Sequence, residues 1–405
     1  MASLAETRVL RIDVSGPDRA GVTHSLTGIL AAAGARVLDI GQAVIHNSLA
    51  LGILIELTGE MKSSSLLTEL SLKAHELGVE IRFTAVTADE YRAWAATEGK
   101  RRFLVTLLGR DLHAGHLARV SGIVARGGLN IDAIDRLSAR TPLEARGQVC
   151  VELAISGAAA NEDAIRAELV ELTAEHDIDV AFQTDDVYRR NRRLVAFDMD
   201  STLIRAEVID ELAKIAGVGG QVAAITESAM RGELDFQASF RKRVGLLKGL
   251  PESSLREVAA RIPLMDGAER LVSTLKRLGY KTAILSGGFT FVGRALQKRL
   301  GIDYLFANEL DVRDGAVTGE VLPPIIDGAR KAQLLREIAA SEGLDLQQAI
   351  AVGDGANDLP MLRLAGLGIA FRAKPVVRAG ARQAISTLGL DGILYLLGVR
   401  DRELD

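Results

Sequence analysis

The sequence predicts an α/β protein: two small βαββαβ α+β modules, then a Rossmann-like, largely parallel sheet with a helical cap. Three observations predict it: one segment order occurs twice in the first half, βα alternation fills the second half, and helical patterns are inserted after that alternation's first strand. At 405 residues the chain is too long for one core. Its 48% hydrophobic and 25% charged residues are those of a globular protein. A balance of 49 basic against 53 acidic residues gives no electrostatic case for nucleic acid or an anionic membrane surface. No apolar run approaches the roughly 18 residues of a membrane span. No signal-peptide core follows the N-terminus, and the single cysteine, Cys150, cannot form an intrachain disulfide. A cytoplasmic protein acting on a small molecule is expected.

Residues 8–14 suit a strand, and the turn GPDRAG (16–21) leads into a helical pattern to about 33, punctuated by Gly34. Two β-rich runs follow at 36–45 and 49–57, then a helix over about 63–77 and a strand over 79–85. The order restarts at Arg102, with the turn GRDLHAG (109–115) and a helix to about 125. Strands near 131–137 and 147–155, a helix over 161–174 and a strand around 180–183 complete it. The same offset separates Asp18 from Asp111 and Asp39 from Asp132, which marks a duplicated module with domains at 1–92 and 93–185. Gly16 and Gly109 would let the backbone approach a ligand, and amides at the following helix start suit a carboxylate; tight turns alone account for the glycines equally well.

Through GPDRAG with GARVLDI, and GRDLHAG with GGLNIDAI, both copies resemble the ACT domain, an amino-acid-sensing module. The resemblance implies a regulatory pair that binds an amino acid, with L-serine the implied ligand, at Gly16 and Asp18 and at Gly109 and Asp111, often across a homodimer interface. The second copy departs from the first: Leu112 stands where Arg19 does, and an extra residue precedes Gly115. His46, His113 and His116 are joined by no cysteine or spaced acidic cluster and read as solvated. The segment 185–194, DDVYRRNRRL, reads as a solvated linker.

The third domain, 186–405, opens on LVAFDMDSTL (194–203), an apolar run ending in two carboxylates. Open α/β sheets place their chemistry at such strand ends. If the chain stays extended, Asp198 and Asp200 face one side with Cα atoms roughly 6.5–7 Å apart. Helical patterns at 207–216, 221–231, 235–247 and 252–260 then form a cap of about 205–265. Alternation resumes with a helix near 268–278, a strand at 281–288, a helix over 291–300 and a strand around 304–307. A polar excursion through Asp311, Asp314 and Gly315, a helix over 329–341, a strand AIAVGDG and a short strand near 368–371 end the pattern. In a parallel sheet, Ser286, Gly287 and Gly288 and the run GDGAND (353–358) share an edge with Asp198, and Lys331 opens the helix between them. Four acids at that edge, Asp198, Asp200, Asp354 and Asp358, are unfavourable beside an anionic group unless a divalent cation and Lys331 compensate.

Together DMDST, SGG, Lys331 and GDGAND resemble the haloacid dehalogenase superfamily of phosphotransferases over about 192–395. The insertion after the first strand places the resemblance in the branch that hydrolyses O-phospho-L-serine to L-serine and phosphate, the last step of serine biosynthesis. ACT-like modules ahead of it resemble its serine-regulated bacterial form. The resemblance implies that Asp198 is the nucleophile that becomes an aspartyl phosphate, and that Asp200 is the acid and then the base. Mg2+ would lie on Asp198, the Asp200 carbonyl and Asp354. Ser286, Gly287, Lys331 and Asn357 would bind the substrate's phosphoryl end, Glu207 its ammonium and Arg243 its carboxylate. Met230 and Phe236 would shape the apolar side, and Asp358 would support the centre. On periodicity alone, Glu207 and Arg243 sit on solvated helix faces. A phosphatase for another small phosphomonoester is the rival enzyme. A sensor with a decayed catalytic domain is the rival class, and the intact set of Asp198, Asp200, Ser286, Lys331 and Asp354 stands against it.

Overall fold

Alternating apolar and polar residues build the first module around one wet and one dry sheet face. The computed structural model describes residues 9–57, 63–96, 100–140, 142, 147–159, 161–175, 177–231 and 233–404. The first module runs β1 (Val9–Pro17), α1 (Val22–Ala32), β2 (Arg36–Ile45), β3 (Ser48–Glu56), α2 (Ser63–Leu77) and β4 (Glu80–Val86). Its sheet is antiparallel in the order β2-β3-β1-β4, and Leu10, Ile12 and Val14 of β1 meet Leu26, Leu30 and Leu70 of the helices in the core. A further helix, α3 (Ala88–Ala95), was not expected; Thr87 and Glu90 cap it reciprocally.

The second module repeats this with β5 (Arg102–Gly109), α4 (Ala114–Arg126), β6 (Leu129–Arg136), β7 (Val149–Gly157), α5 (Glu162–Glu175) and β8 (Ile178–Thr184), in the order β6-β7-β5-β8. The chain forms two compact units, Met1–Lys100 and Arg101–Asp405, so this module shares a unit with everything that follows it. Leu108, Leu137, Cys150 and Ala181 belong to the same buried cluster as Val195 and Phe197.

The third part begins with β9 (Leu194–Phe197), then α6 (Val208–Ile215), α7 (Gly219–Met230), α8 (Phe236–Gly245), α9 (Glu252–Arg261) and α10 (Ala268–Arg277). Next come β10 (Lys281–Phe289), α11 (Thr290–Leu300), β11 (Tyr304–Arg313), β12 (Ala316–Leu322), α12 (Gly328–Ser341) and β13 (Ala349–Gly353). The chain closes with α13 (Leu359–Leu364), β14 (Leu367–Phe371), α14 (Pro375–Gly380), β15 (Gln383–Ile385) and α15 (Ile393–Leu396). The sheet order is β12-β11-β10-β9-β13-β14-β15, parallel except for the β11–β12 pair. All four residues of β9 are buried, as its central position requires.

Three sequence readings need correction. The polar excursion is a hairpin: Asp314 (φ 51°) and Gly315 (φ 76°) both take the left-handed conformation that a two-residue turn between twisted strands demands. The chain does not stay extended across the acid pair. It turns after Asp198, with Ser201 at φ 55° and the Met199 carbonyl accepting from the amides of Leu203 (2.9 Å) and Ile204 (3.1 Å). The arginine-rich segment is not a solvated linker either, because Arg189 and Arg192 are buried and Arg189 pairs with Glu152. Among the described residues no helix is long and apolar enough to cross a membrane.

Candidate active site

Strand β9 stops where Asp198 begins, and the Asp198 amide still donates to the Val352 carbonyl at 2.8 Å, which locks the Asp198 backbone to β13. On the other flank, β10 runs parallel to β9 and delivers Ser286 and Gly287 to the same edge. Asp354 and Asn357 follow β13, and Lys331 lies in the first turn of α12, which Asp327 caps through the Arg330 amide at 2.9 Å. The expected convergence of separate strand ends is therefore present.

Lys331 is fully buried, with Nζ 2.8 Å from Asp198 Oδ1 and 2.7 Å from Asp358 Oδ1. Burial by itself would lower its proton affinity; the two carboxylates outweigh burial and hold the ammonium above its ordinary range. Asp358 also accepts from the Gly355 amide at 2.9 Å, so it braces the turn that carries Asp354.

A cavity of about 140 Å³ opens above this pair and is shared by Asp198, Asp200, Glu207, Arg243, Ser286, Gly287, Asp354 and Asn357. Phe236 and Phe240 of α8, Ile209 and Phe289 supply its apolar lining, and Phe236 stacks on Phe240 at 5.9 Å. Glu207 and Arg243 thus line the cavity, Arg243 half-buried and Glu207 with its outer side open to solvent. Met230 ends α7, and its side chain lies outside the described residues.

The acids respond to crowding. Burial, then Glu207 and Asp198, push Asp200 well above the usual carboxylate range, and its buried Oδ1 has no hydrogen-bond partner among the described residues. Burial, then Asp198 and Asp358, push Asp354 up to about 8. Glu207 is raised by the closeness of the cleft walls and by Asp198, although part of its side chain is open to solvent. One oxygen each from Asp198, Asp354 and Asp358 lies within 4.8 Å of the others. Hard carboxylate oxygens gathered this closely suit a divalent cation, so the donor set fits a metal ion. Asp198 and Asp354 of the expected set belong to this grouping, and its third carboxylate, Asp358, is engaged by Lys331.

Several site residues escaped the sequence reading. Thr202 Oγ1 donates to Asp354 Oδ1 at 3.1 Å and Ser201 Oγ to Glu207 Oε1 at 2.9 Å; their place directly after the acid pair was the available signal. Asn308 is fully buried, donates through Nδ2 to the Gly287 carbonyl at 2.8 Å and accepts from the Ile326 amide at 2.8 Å. Because a peptide is planar, holding the Gly287 carbonyl on one side aims the Gly288 amide to the other, where it donates to Ser286 Oγ at 2.9 Å. Ser286 then has its own proton to give to a bound oxyanion. Gly288 admits no side chain: an added Cβ would come within 2.7 Å of Asp200 Oδ2.

At the expected regulatory turns, both glycines pack against their own modules. A Cβ on Gly16 (φ 154°) would meet Val79 Cα at 3.0 Å, and one on Gly109 would meet Ile178 Cγ2 at 3.1 Å. Asp18 is exposed, and so is Asp111, beside His113. The second turn opens on a cavity of about 680 Å³ that Arg110, Asp111, His113 and Asp177 share with Leu388 and Gly389.

The fold and this edge define the class, a haloacid dehalogenase-like hydrolase carrying ACT domains: the haloacid dehalogenase-like hydrolase model matches residues 195–363, and ACT domain models match 8–84 and 102–183. The phosphoserine phosphatase of Streptomyces coelicolor is 41% identical over 401 residues, covering 99% of this chain and 95% of the relative. Phosphoserine phosphatase SerB2 of Mycobacterium tuberculosis is 39% identical over 395 residues, covering 97% and 94%. Among solved structures, a haloacid dehalogenase-family hydrolase from Salmonella enterica serovar Typhi aligns with TM-score 0.62 at 33% identity, covering 73% of this chain and 98% of that one. A probable phosphoserine phosphatase from Vibrio cholerae aligns with TM-score 0.58 at 36% identity, covering 73% and 86%. The chain belongs to the phosphoserine phosphatase family of haloacid dehalogenase-like hydrolases.

Proposed function

We propose that the protein hydrolyses O-phospho-L-serine to L-serine and inorganic phosphate with Mg2+, in the cytoplasm. The observation that carries this reading is the cavity in which Asp198, held by Lys331, shares a small space with Glu207 and Arg243. A carboxylate and a guanidinium suit the ammonium and carboxylate of an amino acid, and Arg grips a carboxylate bidentately.

A carboxylate oxygen of Asp198 attacks phosphorus, the bond from phosphorus to the serine oxygen breaks, and an aspartyl phosphate results. Asp200, whose surroundings favour the protonated form, gives its proton to the departing serine oxygen. As a carboxylate it then takes a proton from the water that attacks phosphorus, which releases phosphate and restores both acids. Ser286, the Gly287 amide and Asn357 bind phosphoryl oxygens, Lys331 offsets the charge of Asp198 and Asp358, and Phe236 with Met230 shapes the apolar side. Asp198, the Asp200 carbonyl and Asp354 would hold Mg2+, which supplies charge compensation for these acids and the phosphoryl group.

Residues 1–92 and 93–185 act as regulatory domains that bind L-serine at Gly16 with Asp18 or Gly109 with Asp111, residues 186–405 as the catalytic domain, and the protein as a homodimer. The cavity beside Asp111 supports the second of these sites. The deciding experiment is phosphate release from a panel of phosphomonoesters, with Mg2+ and with chelator, in wild type and Asp198→Asn. Phosphoserine should be preferred, and both chelator and the substitution should abolish turnover. Equal turnover of unrelated esters would overturn the substrate, and activity surviving in Asp198→Asn would overturn the mechanism.

A further inference from the structure

Away from the catalytic edge, a small, partly open polar cavity of about 90 Å³ lies where the second module, the 185–193 segment and the starts of β13 and β14 meet. Three arginines line it, Arg166 of α5, Arg192 of the connecting segment and Arg382 before β15, against the single lining carboxylate of Asp186. Arg192 is 5% exposed, and its Nε and Nη1 are buried with no hydrogen-bond partner among the described residues. Of the carboxylates nearby, Asp186 is exposed and acts on Arg192 through its charge, without an ion pair among the described residues. Asp186 accepts from the Arg189 amide at 3.1 Å, and Glu152 pairs with the Arg189 side chain. Arg166 commits Nη1 to the carbonyls of Phe182 (3.0 Å) and Arg382 (3.2 Å).

A guanidinium taken out of water without a partner is strongly unfavourable, and Arg is never relieved by losing its proton at physiological pH. Burial, then the Arg189 charge, draw Arg192 down to about 10, and burial followed by Arg382 lowers Arg166. The buried Arg192 charge, facing a cavity that two further guanidinium groups line, asks for an anion. The volume is roughly six times the least that one water needs, enough for a tetrahedral oxyanion. On the same wall, Gln183 Oε1 is a buried acceptor without a donor among the described residues. A fully deprotonated oxyanion cannot serve it, whereas one that keeps a proton can.

We propose that this cavity is a binding site for a small proton-carrying oxyanion, inorganic phosphate being the probe, with Arg192 as its anchor and Gln183 as the acceptor of its hydroxyl. It sits at the N-terminal ends of the parallel strands, opposite the catalytic edge, so the anion fastens the second module to the catalytic sheet. The assignment does not depend on the reaction proposed above.

Thermal unfolding of the full chain at constant ionic strength tests it, in chloride, sulfate and phosphate, for wild type, Arg192→Met and Arg382→Gln. The catalytic edge also takes phosphate, and these variants leave it intact, so the difference between proteins reports the cavity. The wild-type midpoint should rise with phosphate by about 2–4 °C more than that of Arg192→Met. In chloride, Arg192→Met should melt no lower than wild type, since an unpaired buried charge has gone. Arg382 is exposed, so Arg382→Gln keeps the test valid if Arg192→Met fails to fold, and it should lose part of the phosphate increment. An equal increment in wild type and in whichever variant folds would show a cavity holding water alone and overturn the proposal. A sulfate increment matching phosphate would overturn the requirement for a proton on the anion.

Discussion

Strand β1 of the first module carries Arg11, Asp13 and Ser15 where β5 of the second carries Leu104, Thr106 and Leu108. Their cross-strand partners repeat the contrast: Thr84, Arg82 and Glu80 in β4 against Gln183, Ala181 and Asp179 in β8. In the second module all six are buried, whereas Arg11, Ser15, Glu80 and Arg82 of the first are exposed. One duplicated fold therefore has two environments. In the first module the sheet buries a single face under its helices. In the second, the other face is covered by the catalytic domain, through Leu108 and Ala181 in the shared core and through Asp179, which accepts from the Ser386 and Thr387 amides at 2.9 and 2.8 Å. Strict alternation marks a sheet wet on one side, and a continuous apolar run marks one covered on both.

Paired substitutions test this contrast. Leu108→Asp places an unpaired charge in the shared core and should cost roughly 3–5 kcal/mol in denaturant unfolding, while Ser15→Asp should stay within about 0.5 kcal/mol. Equal losses would break the comparison. Asp179→Ala strips the acceptor from two amides and from Thr387 Oγ1 (2.6 Å), for a loss of about 1–3 kcal/mol that Glu80→Ala should not share. Gln383→Ala removes the side-chain acceptor of the Phe182 amide (2.9 Å) and one of the two side-chain donors to its carbonyl (2.6 Å), Arg166 remaining, and should cost about 1–2 kcal/mol in the same assay. The smallest effect concerns regulation. Asp111→Ala should raise the serine concentration for half-inhibition about five-fold, roughly 1 kcal/mol, and Asp18→Ala by less; the reverse order would assign sensing to the first module.

At the catalytic edge, Asp198, Ser286, Lys331 and Asp354 were legible because strand ends and helix starts are local signals and a parallel sheet collects them on one edge. The hairpin of β11 and β12 is also written locally, in Asp314 and Gly315, although the polar residues around the turn mask the strand pattern. Asn308 was not legible. Its importance comes from touching Gly287 and Ile326 at once, and nothing near position 308 announces either partner. The same holds for the arginines at 189 and 192, whose composition says solvent and whose location says interior.

By itself, then, the sequence determined the duplication, most of the element order and the edge at which the acids gather, since each rests on periodicity and on residues adjacent along the chain. Only the tertiary structure decided that Lys331 is shared between Asp198 and Asp358, that Glu207 and Arg243 look into the cavity, and that Arg192 is left in the interior with Nε and Nη1 unpartnered among the described residues. Those facts depend on which distant segments meet. Burial turns such meetings into large energies, because a charge removed from water must find its partner in whatever the fold brings beside it.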